Sequence, residues 1–477
     1  MTPLNLLLAA LPILTLIGLL AFRVAPLPSV LITLAVTVVL SFRFPLGLSE
    51  VSELGGRFGG VTITLALIML GGIILSEMLR ASGAQELISL WLNGAAHSRE
   101  RAILLLGFAV TPFVESIIGW GVGIIVGVPL LMRAGLDTTR AATVSLLGLT
   151  LCPWGSLGPS LLLIQSMSGL PMHDLGFWIA LCNLPVLIVM GVTITLVGVQ
   201  RGRRGRTFAE LAVTIAVMWP VLLVTNLWLA PALGGVFTAG AGVLTLLALA
   251  RLTGPLPRMS RATLRSFSPY AVLVGAMLTV IGLANIVDLG AVETVLTNPG
   301  LWLVVTALIA PLLVKLSRSE MLPVLSRGLR TFAPVCLVTV LFVLFGGLLS
   351  VNGMGDTLAE GASSLGFGFL LLMPALGALT GYLTGSNTSA AAMLALGTTH
   401  ATTAIGANPL LALGAQTAGV GAAVMASPAR VALAVSLANS MRTVEEPAAN
   451  LRRAAGITIL ANLGVVVLLT PAVALLA

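Results

Sequence analysis

Residues 99–140 read RERAILLLGFAVTPFVESIIGWGVGIIVGVPLLMRAGLDTTR, and this stretch decides the fold. Between the arginines Arg99 and Arg101 at one end and Arg133 and Arg140 at the other, 102–133 is apolar except around Glu115-Ser116-Ile117-Ile118-Gly119-Trp120-Gly121-Val122-Gly123. A single crossing would put the two basic flanks on opposite sides of a membrane, against the bias that keeps Lys- and Arg-rich loops in the cytoplasm. A re-entrant hairpin that enters and leaves on one face removes the conflict, with its tip near Glu115–Gly123. Chain reversal at membrane depth leaves backbone N–H and C=O groups without helical partners, so such a tip needs protein or a wet cavity around it.

The remainder of the chain is read outward from that hairpin. Charged residues make up 8% of 477 and hydrophobic ones 58%, against roughly 25% charged in an ordinary soluble domain. Regular apolar runs occupy 4–22, 28–42, 61–79, 175–199, 210–229, 233–250, 268–287, 299–316, 331–350 and 455–476. Runs near 20 residues suit a bilayer core, and lipid leaves helix as their conformation. Three further regions, 102–133, 141–168 and 365–440, are apolar but interrupted by Gly, Pro and small polar residues. The net charge of +8 sits in short arginine clusters between runs, which is the positive-inside pattern and not a nucleic-acid surface. Membrane lipid is therefore the expected partner, and nucleic acid is not. Cys152, Cys182 and Cys336 lie in or beside apolar runs without CxxC spacing, and read as buried hydrophobes. The run Leu4 to Phe22 lacks a basic leader and a small-residue cleavage site, and reads as an uncleaved first helix.

Arginine also sets the orientation. Arg201, Arg203, Arg204 and Arg206 form one cluster, Arg251, Arg258, Arg261 and Arg265 a second, and Lys315, Arg318, Arg327 and Arg330 a third, with Arg442, Arg452 and Arg453 as a fourth. Pairs of helices separate the first three, so they share a side, taken as cytoplasmic. Arg43 and Arg57 then lie outside, balanced by Glu50 and Glu53. The order of elements repeats at an offset of about 270 residues, from three helices through an interrupted hairpin and a broken segment to a last helix, and Gly71-Gly72-Ile73-Ile74-Leu75-Ser76 answers Gly346-Gly347-Leu348-Leu349-Ser350. Counting crossings places the halves in opposite orientations, a pattern that points to a secondary transporter with a midplane site. The expected fold class is an all-α polytopic membrane protein of two inverted repeats, each with a re-entrant hairpin and a broken helix, joined by two connector helices. The first repeat spans 1–206 (hairpin about 102–133, broken helix 141–168). The connector pair and its loop span 207–266, and the second repeat 267–477 (hairpin about 365–404, broken segment 408–440).

The residues that suit chemistry lie at the breaks. Thr384-Gly385-Ser386-Asn387-Thr388-Ser389 sits between two apolar segments, where Gly permits the backbone to leave helical geometry and the hydroxyls and amide supply donors and acceptors. N–H groups opening the next helix attract an anion such as a carboxylate, although a plain N-cap also favours these residue types. Three roles are open to Glu115: proton carrier, hydrogen-bonding group to substrate or to the broken backbone, or cation ligand. Ser116 is a further substrate contact, Gly119 and Gly121 allow the turn, and Trp120 either walls the site or packs. Cys152-Pro153-Trp154-Gly155-Ser156-Leu157-Gly158-Pro159 and Gln416-Thr417-Ala418-Gly419 mark the expected breaks of the two broken segments, lining a cavity or kinking helices for packing. Ser427-Pro428 opens the second part of its segment. Glu77 lies near a helix end with a snorkelling or loop-facing role, and His400 is a rim or packing residue.

The motifs Glu115-Ser-Ile-Ile-Gly-Trp-Gly, Gly135-Leu-Asp-Thr-Thr-Arg-Ala-Ala, Gly385-Ser-Asn-Thr-Ser and Ala407-Asn408-Pro409-Leu410-Leu411 resemble the bacterial L-lactate permease family. The resemblance implies proton-coupled uptake of lactate, glycolate or related 2-hydroxy monocarboxylates across the bacterial cytoplasmic membrane. Ser386-Asn387-Thr388 also resembles the hairpin tips of sodium-coupled dicarboxylate transporters, which implies a substrate carboxylate at the tips and an elevator-like movement, with sodium as the other candidate coupling ion. Two departures stand out: the family pattern has Asp where this chain has Asn387, and small residues where it has Ser116, Ile117 and Ile118.

Other classes lack their residues. HExxH, CxxC pairs, GxxxxGK and DDxxD are absent, so no enzyme activity and no resident cofactor or metal is expected. Gly353-Met354-Gly355-Asp356 matches the pattern of intramembrane aspartyl proteases but falls in an expected external loop without a second intramembrane Asp. A channel would make poor use of two opposed hairpins. The expected substrate is a small carboxylate, and a homodimer is compatible with the pattern.

Overall fold

The computed structural model describes residues 3–441 and 447–477; Arg442 lies outside them, as do the side chains of Glu50, Glu53 and Arg57. Every regular element among the described residues is a helix. The first half opens with α1 (Pro3–Ala21), α2 (Pro26–Val39), α3 (Leu48–Ala81) and α4 (Ala84–Ala95). The first hairpin follows. Its outgoing leg is α5 (Arg99–Leu104), a π-helical turn (Leu105–Val110) and α6 (Thr111–Ile117), and its return is α7 (Val122–Arg133). Then come α8 (Thr138–Leu147) and α9 (Pro159–Ser168), which are the two parts of the broken segment, and α10 (Met172–Cys182) with α11 (Leu184–Gly198). The connector is α12 (Arg204–Val224) and α13 (Gly234–Arg251).

The second half runs through α14 (Arg261–Ala284), the short α15 (Glu293–Leu296), α16 (Pro299–Val314), α17 (Arg318–Val351) and α18 (Met354–Ser363). The second hairpin is α19 (Phe367–Thr384) and α20 (Asn387–Ala404), the second broken segment α21 (Pro409–Val424) and α22 (Pro428–Ser440), and the last helix α23 (Pro447–Leu476). Among the described residues, 10 helical stretches are long and apolar enough to cross a membrane, two of them, Met172–Gly198 and Pro409–Ser440, each being a pair of successive helices.

The structure corrects several expected boundaries. The runs at 28–42 and 299–316 are short helices, Pro26–Phe42 and Pro299–Val314, below spanning length. The run at 175–199 is two helices that meet at Asn183, before Pro185. Those at 61–79 and 331–350 are the cores of two 34-residue helices, α3 and α17, each about 50 Å long at 1.5 Å per residue. Hydropathy marks only the lipid-matched part of such a helix, and the polar turns that extend it leave no apolar signal. Helices α4 and α18 lie outside the apolar runs for the same reason. Both are amphipathic and short, and each begins after a left-handed glycine, Gly83 or Gly353. The Gly353–Asp356 stretch is therefore mostly the start of α18 and not an open loop.

From α3 and α17 onwards the two halves share an order of elements. Each has a 34-residue helix, a glycine turn, an amphipathic helix, a hairpin and a broken segment. Side-chain contacts recur as well: Glu86 of α4 forms an ion pair with Arg133 at the end of α7, and Asp356 of α18 lies against the His400 Nδ1 near the end of α20. His400 thus occupies a rim, away from the hairpin tip.

Packing divides the helices into two groups. In one, α3 lies against α16 and α17, α14 against α16 and α4, and α2 against α1 and α17. In the other, α19 packs on α21 and α23, α20 on α21 and α9, and α8 on α7, α11, α22 and α23. Small residues let the second group close up. A Cβ on Gly377 would stand 2.0 Å from the Gln416 carbonyl oxygen, and one on Gly419 2.3 Å from that of Pro374, the close backbone approach that membrane helices obtain from glycine. The groups meet where α20 packs on α17 and α18, and where α9 meets α3. The connector sides with the first hairpin. Buried Arg101 of α5 makes a two-pronged pair with Glu210 of α12, Nη2 to Oε1 at 2.6 Å and Nε to Oε2 at 3.1 Å. A second link, from Arg327 of α17 to Glu77 of α3 at 3.2 Å, gives Glu77 a partner on a neighbouring helix.

Candidate functional site

The first tip is held by its own carboxylate. Helix α6 ends at Ile117, and Gly119, Trp120 and Gly121 follow with φ of +76°, +56° and +85°. A bulky residue at positive φ is strained unless its surroundings fix it. Glu115 does part of the fixing: its Oε1 accepts the Gly121 N–H and its Oε2 the Gly123 N–H, both at 3.0 Å. These are N–H groups at the start of α7 that no intrahelical carbonyl can satisfy, and the positive end of the helix dipole suits a carboxylate there.

The second tip is tighter than the sequence suggested. Only Gly385 and Ser386 separate α19 from α20. Gly385 takes φ +63°, and Ser386 is the N-cap of α20, its Oγ accepting the Ser389 N–H at 3.2 Å. The Thr384 hydroxyl oxygen accepts the Ser386 N–H at 3.3 Å. Asn387, Thr388 and Ser389 form the first turn of α20, so capping accounts for Ser386, while the Asn387 Oδ1 is buried without a hydrogen-bond partner among the described residues.

The broken segments press against the tips in matched fashion. In the first, Ser156, Leu157 and Gly158 adopt φ of +54°, +61° and +75°, and a Cβ on Gly119 would stand 2.6 Å from that of Ser156. In the second, a Cβ on Gly385 would stand 3.0 Å from the Ser427 Oγ. The break in the second segment is Met425–Ser427. Gln416–Gly419, read as the break from sequence, lies within continuous α21, where Gly419 serves the crossing with α19. Glycine reports a close approach as readily as a helix break, and pattern alone does not separate the two.

The tips and the ends of the broken segments face one cavity of about 440 Å³. From the first half it is lined by Glu115, Gly119, Trp120, Ser156 and Ser160, and from the second by Gly385–Ser389 and Arg430. Val338, Thr339 and Phe342 of α17 close one wall. Gly121 lies directly beneath Arg430, whose Nη1 would be 2.2 Å from an added Cβ. Gly121, expected as a substrate contact, is thus covered by Arg430 and off the lining, and two further expected contacts are elsewhere. Ser116 is fully buried and turned towards Gly235 of the connector, and Gln416 lies in a separate small void that Asn387 also touches.

Arg430, in the first turn of α22, is the residue that the motif reading passed over. Its signal was present: an arginine within the otherwise apolar 409–440 is costly in a membrane and marks function by default. It stands 3.7 Å from Glu115, Nη1 to Oε1, which is too long for a hydrogen bond. Arg430 Nη1, the Trp120 indole N–H and the Ser156 hydroxyl, all of lining residues, are buried without hydrogen-bond partners among the described residues; the Ser427 hydroxyl, against Gly385, is likewise unpartnered but lies off the lining. Buried polar groups are nearly always paired, so a cluster of unpaired donors around one cavity describes a site for something that accepts hydrogen bonds. Arg430 and Glu115 are the cationic and acidic side chains lining it.

Helices of spanning length around a cavity lined by Glu115 and Arg430 make this a multi-pass membrane protein. The family model for L-lactate permease matches residues 2–278 and 270–446. The chain is also 25% identical over 418 residues to an L-lactate permease of Streptococcus iniae, an alignment covering 80% of this chain and 88% of that protein. The chain belongs to the L-lactate permease family.

Proposed function

We propose that the protein carries small monocarboxylates, L-lactate and related 2-hydroxy acids, together with a proton, through alternating access of the cavity between its two hairpin tips. The observation that carries this reading is the cluster of unpaired donors around Arg430. A substrate carboxylate accepts from the Arg430 guanidinium and the Trp120 indole, and its 2-hydroxyl pairs with Ser156 or Asn387. One arginine on the wall suits one carboxylate; a dicarboxylate would bring a second charge with no cation to meet it. The apolar wall from Val338 and Phe342 takes the carbon end.

Coupling follows from the same contacts. The incoming carboxylate competes with Glu115 for Arg430, leaving two carboxylates beside one guanidinium, and a proton on Glu115 relieves their repulsion. Substrate and proton are then carried together, with no net charge moved by the pair. The matched order of elements and the arginine distribution support two inverted repeats, 1–206 and 267–477, around the connector 207–266. In this reading the hairpins, the broken segments and α23 travel as one body against α3, α14, α16 and α17, in the manner of an elevator.

Uptake of labelled L-lactate into proteoliposomes, with proton and sodium gradients imposed separately, tests the proposal. Accumulation should follow the proton gradient. Accumulation driven by sodium and indifferent to pH would replace the proton with sodium, and no uptake of any small carboxylate would end the carrier reading. Replacing both Ser386 and Thr388 by Ala is expected to raise KM about tenfold, the worth of one or two hydrogen bonds, and to lower the thermal unfolding midpoint slightly through the lost cap on α20; Thr388→Ala alone keeps that cap, and an unaltered KM in both variants would remove the second tip from substrate contact.

A further inference from the structure

A second cavity, of about 350 Å³, lies on the other side of the first hairpin. Phe113 and Val114 face it, one residue before Glu115 faces the polar cavity. Its other walls are Ile88 and Trp91 of α4, Val243 and Leu247 of α13, and Phe267 of α14. No charged side chain lines it. A cavity so lined stays dry and has the size and apolar character of a ligand site. One polar group points to the kind of ligand: the Gln85 Nε2, at the start of α4, is buried in its lining and has no hydrogen-bond partner among the described residues.

The rim indicates the source. Leu244 and Met259, both lining residues, are 69% and 43% exposed, so the cavity opens towards lipid. Around Met259 and Phe267 stand the exposed arginines Arg258, Arg261 and Arg265, with Arg251 one turn beyond Leu247. None of the four is ion-paired among the described residues, as the acidic partners there are taken up by other arginines and by His400 or lie elsewhere. An apolar slot open to the bilayer, a buried amide donor and a row of free guanidinium groups complement, in turn, the acyl chain, the ester carbonyl and the phosphate of a phospholipid.

We propose that this cavity is a lipid site that holds one acyl chain of an anionic phospholipid from the leaflet the arginines face. A chain seated there wedges the first hairpin against α4 and α14, which belong to the other packing group, and so lies where lipid identity would be felt by any movement between the groups.

Trp91 is the reporter. The protein and its Trp91→Phe variant are reconstituted in vesicles containing phosphatidylglycerol or phosphatidylcholine with brominated acyl chains, and the Trp91 component is taken as the fluorescence difference. Brominated phosphatidylglycerol should quench that component more strongly than brominated phosphatidylcholine, and Gly240→Leu should abolish the preference by filling the cavity. Gly240 is suited to this, because its added Cβ would meet only Phe113, at 3.8 Å. Native mass spectrometry of the detergent-purified protein gives a readout without a tryptophan variant: retained phosphatidylglycerol should fall in Gly240→Leu, and about fivefold for each of Arg258 and Arg261 replaced by Gln. Equal quenching by the two lipids, or retention indifferent to Gly240→Leu, would mean ordinary bilayer contact and overturn the proposal.

Discussion

Replacing Arg430 by Gln is expected to cut L-lactate uptake by about a hundredfold or more, the cost of removing the charged partner of a buried carboxylate. Its Nη1 has no hydrogen-bond partner among the described residues, so the loss should fall on binding and leave the fold intact. Glu115 keeps both backbone N–H bonds in the variant, which limits the damage at the first tip. Arg430→Lys should recover part of the activity, since it restores a point charge without the planar fork that suits a carboxylate. Uptake and unfolding temperature measured on the same preparations check this. An Arg430→Gln protein that is well folded and transports normally would take the cation out of the substrate site.

The second large effect is expected at Glu115. Proton-driven accumulation of L-lactate should vanish in Glu115→Gln, leaving only equilibration. The structure adds a complication to this familiar substitution. Both carboxylate oxygens accept backbone N–H bonds, whereas a Gln amide can accept only one of them and points its NH2 at the other donor. The variant therefore loosens the turn at Gly119–Gly121 as well as removing a titratable group. The ratio of exchange to accumulation separates the two effects. Exchange of internal for external lactate without accumulation is the expected signature of lost coupling, and loss of both in proportion would assign Glu115 to shaping the tip alone. Full accumulation by Glu115→Gln would place the proton elsewhere.

Much of this architecture could be read in the sequence because the bilayer leaves few options. The basic flanks of 102–133 require a chain that turns back, and the structure has that turn where Glu115–Gly123 interrupt the apolar run. The tip at Gly385 is equally plain, since a left-handed glycine followed by a capping serine is a local signal. The second broken segment was legible in part, since Ser427-Pro428 opens α22 as expected. Gln416-Thr417-Ala418-Gly419 looks like an interruption but is a helix surface shaped for α19, whereas the real break, at Met425–Ser427, is marked by the Pro428 that opens α22. Long polar extensions of α3 and α17 and the amphipathic α4 and α18 carry no apolar run of spanning length, so hydropathy passes over them.

Site residues divide in the same way. Glu115, Trp120 and Ser386–Ser389 line the cavity because tips are defined by local sequence, and each tip brings its neighbours along. Ser116 does not, because the face of a helix presented to the cavity is set by packing against the connector. Arg430 needs the three-dimensional fold: it lies some 315 residues from Glu115 in sequence, and only the close approach of the second broken segment to the first tip places it above Gly121.

The most direct test of the account asks whether both halves face one substrate site. In a background with Cys152, Cys182 and Cys336 replaced, single cysteines at Ser156 and at Ser386 report the first and second halves through their reaction with a small membrane-permeant thiol reagent. L-lactate should protect both positions over the same concentration range, and the protection should disappear in Arg430→Gln. Protection of one position only, or of neither at concentrations that saturate uptake, would contradict a shared carboxylate site between the tips.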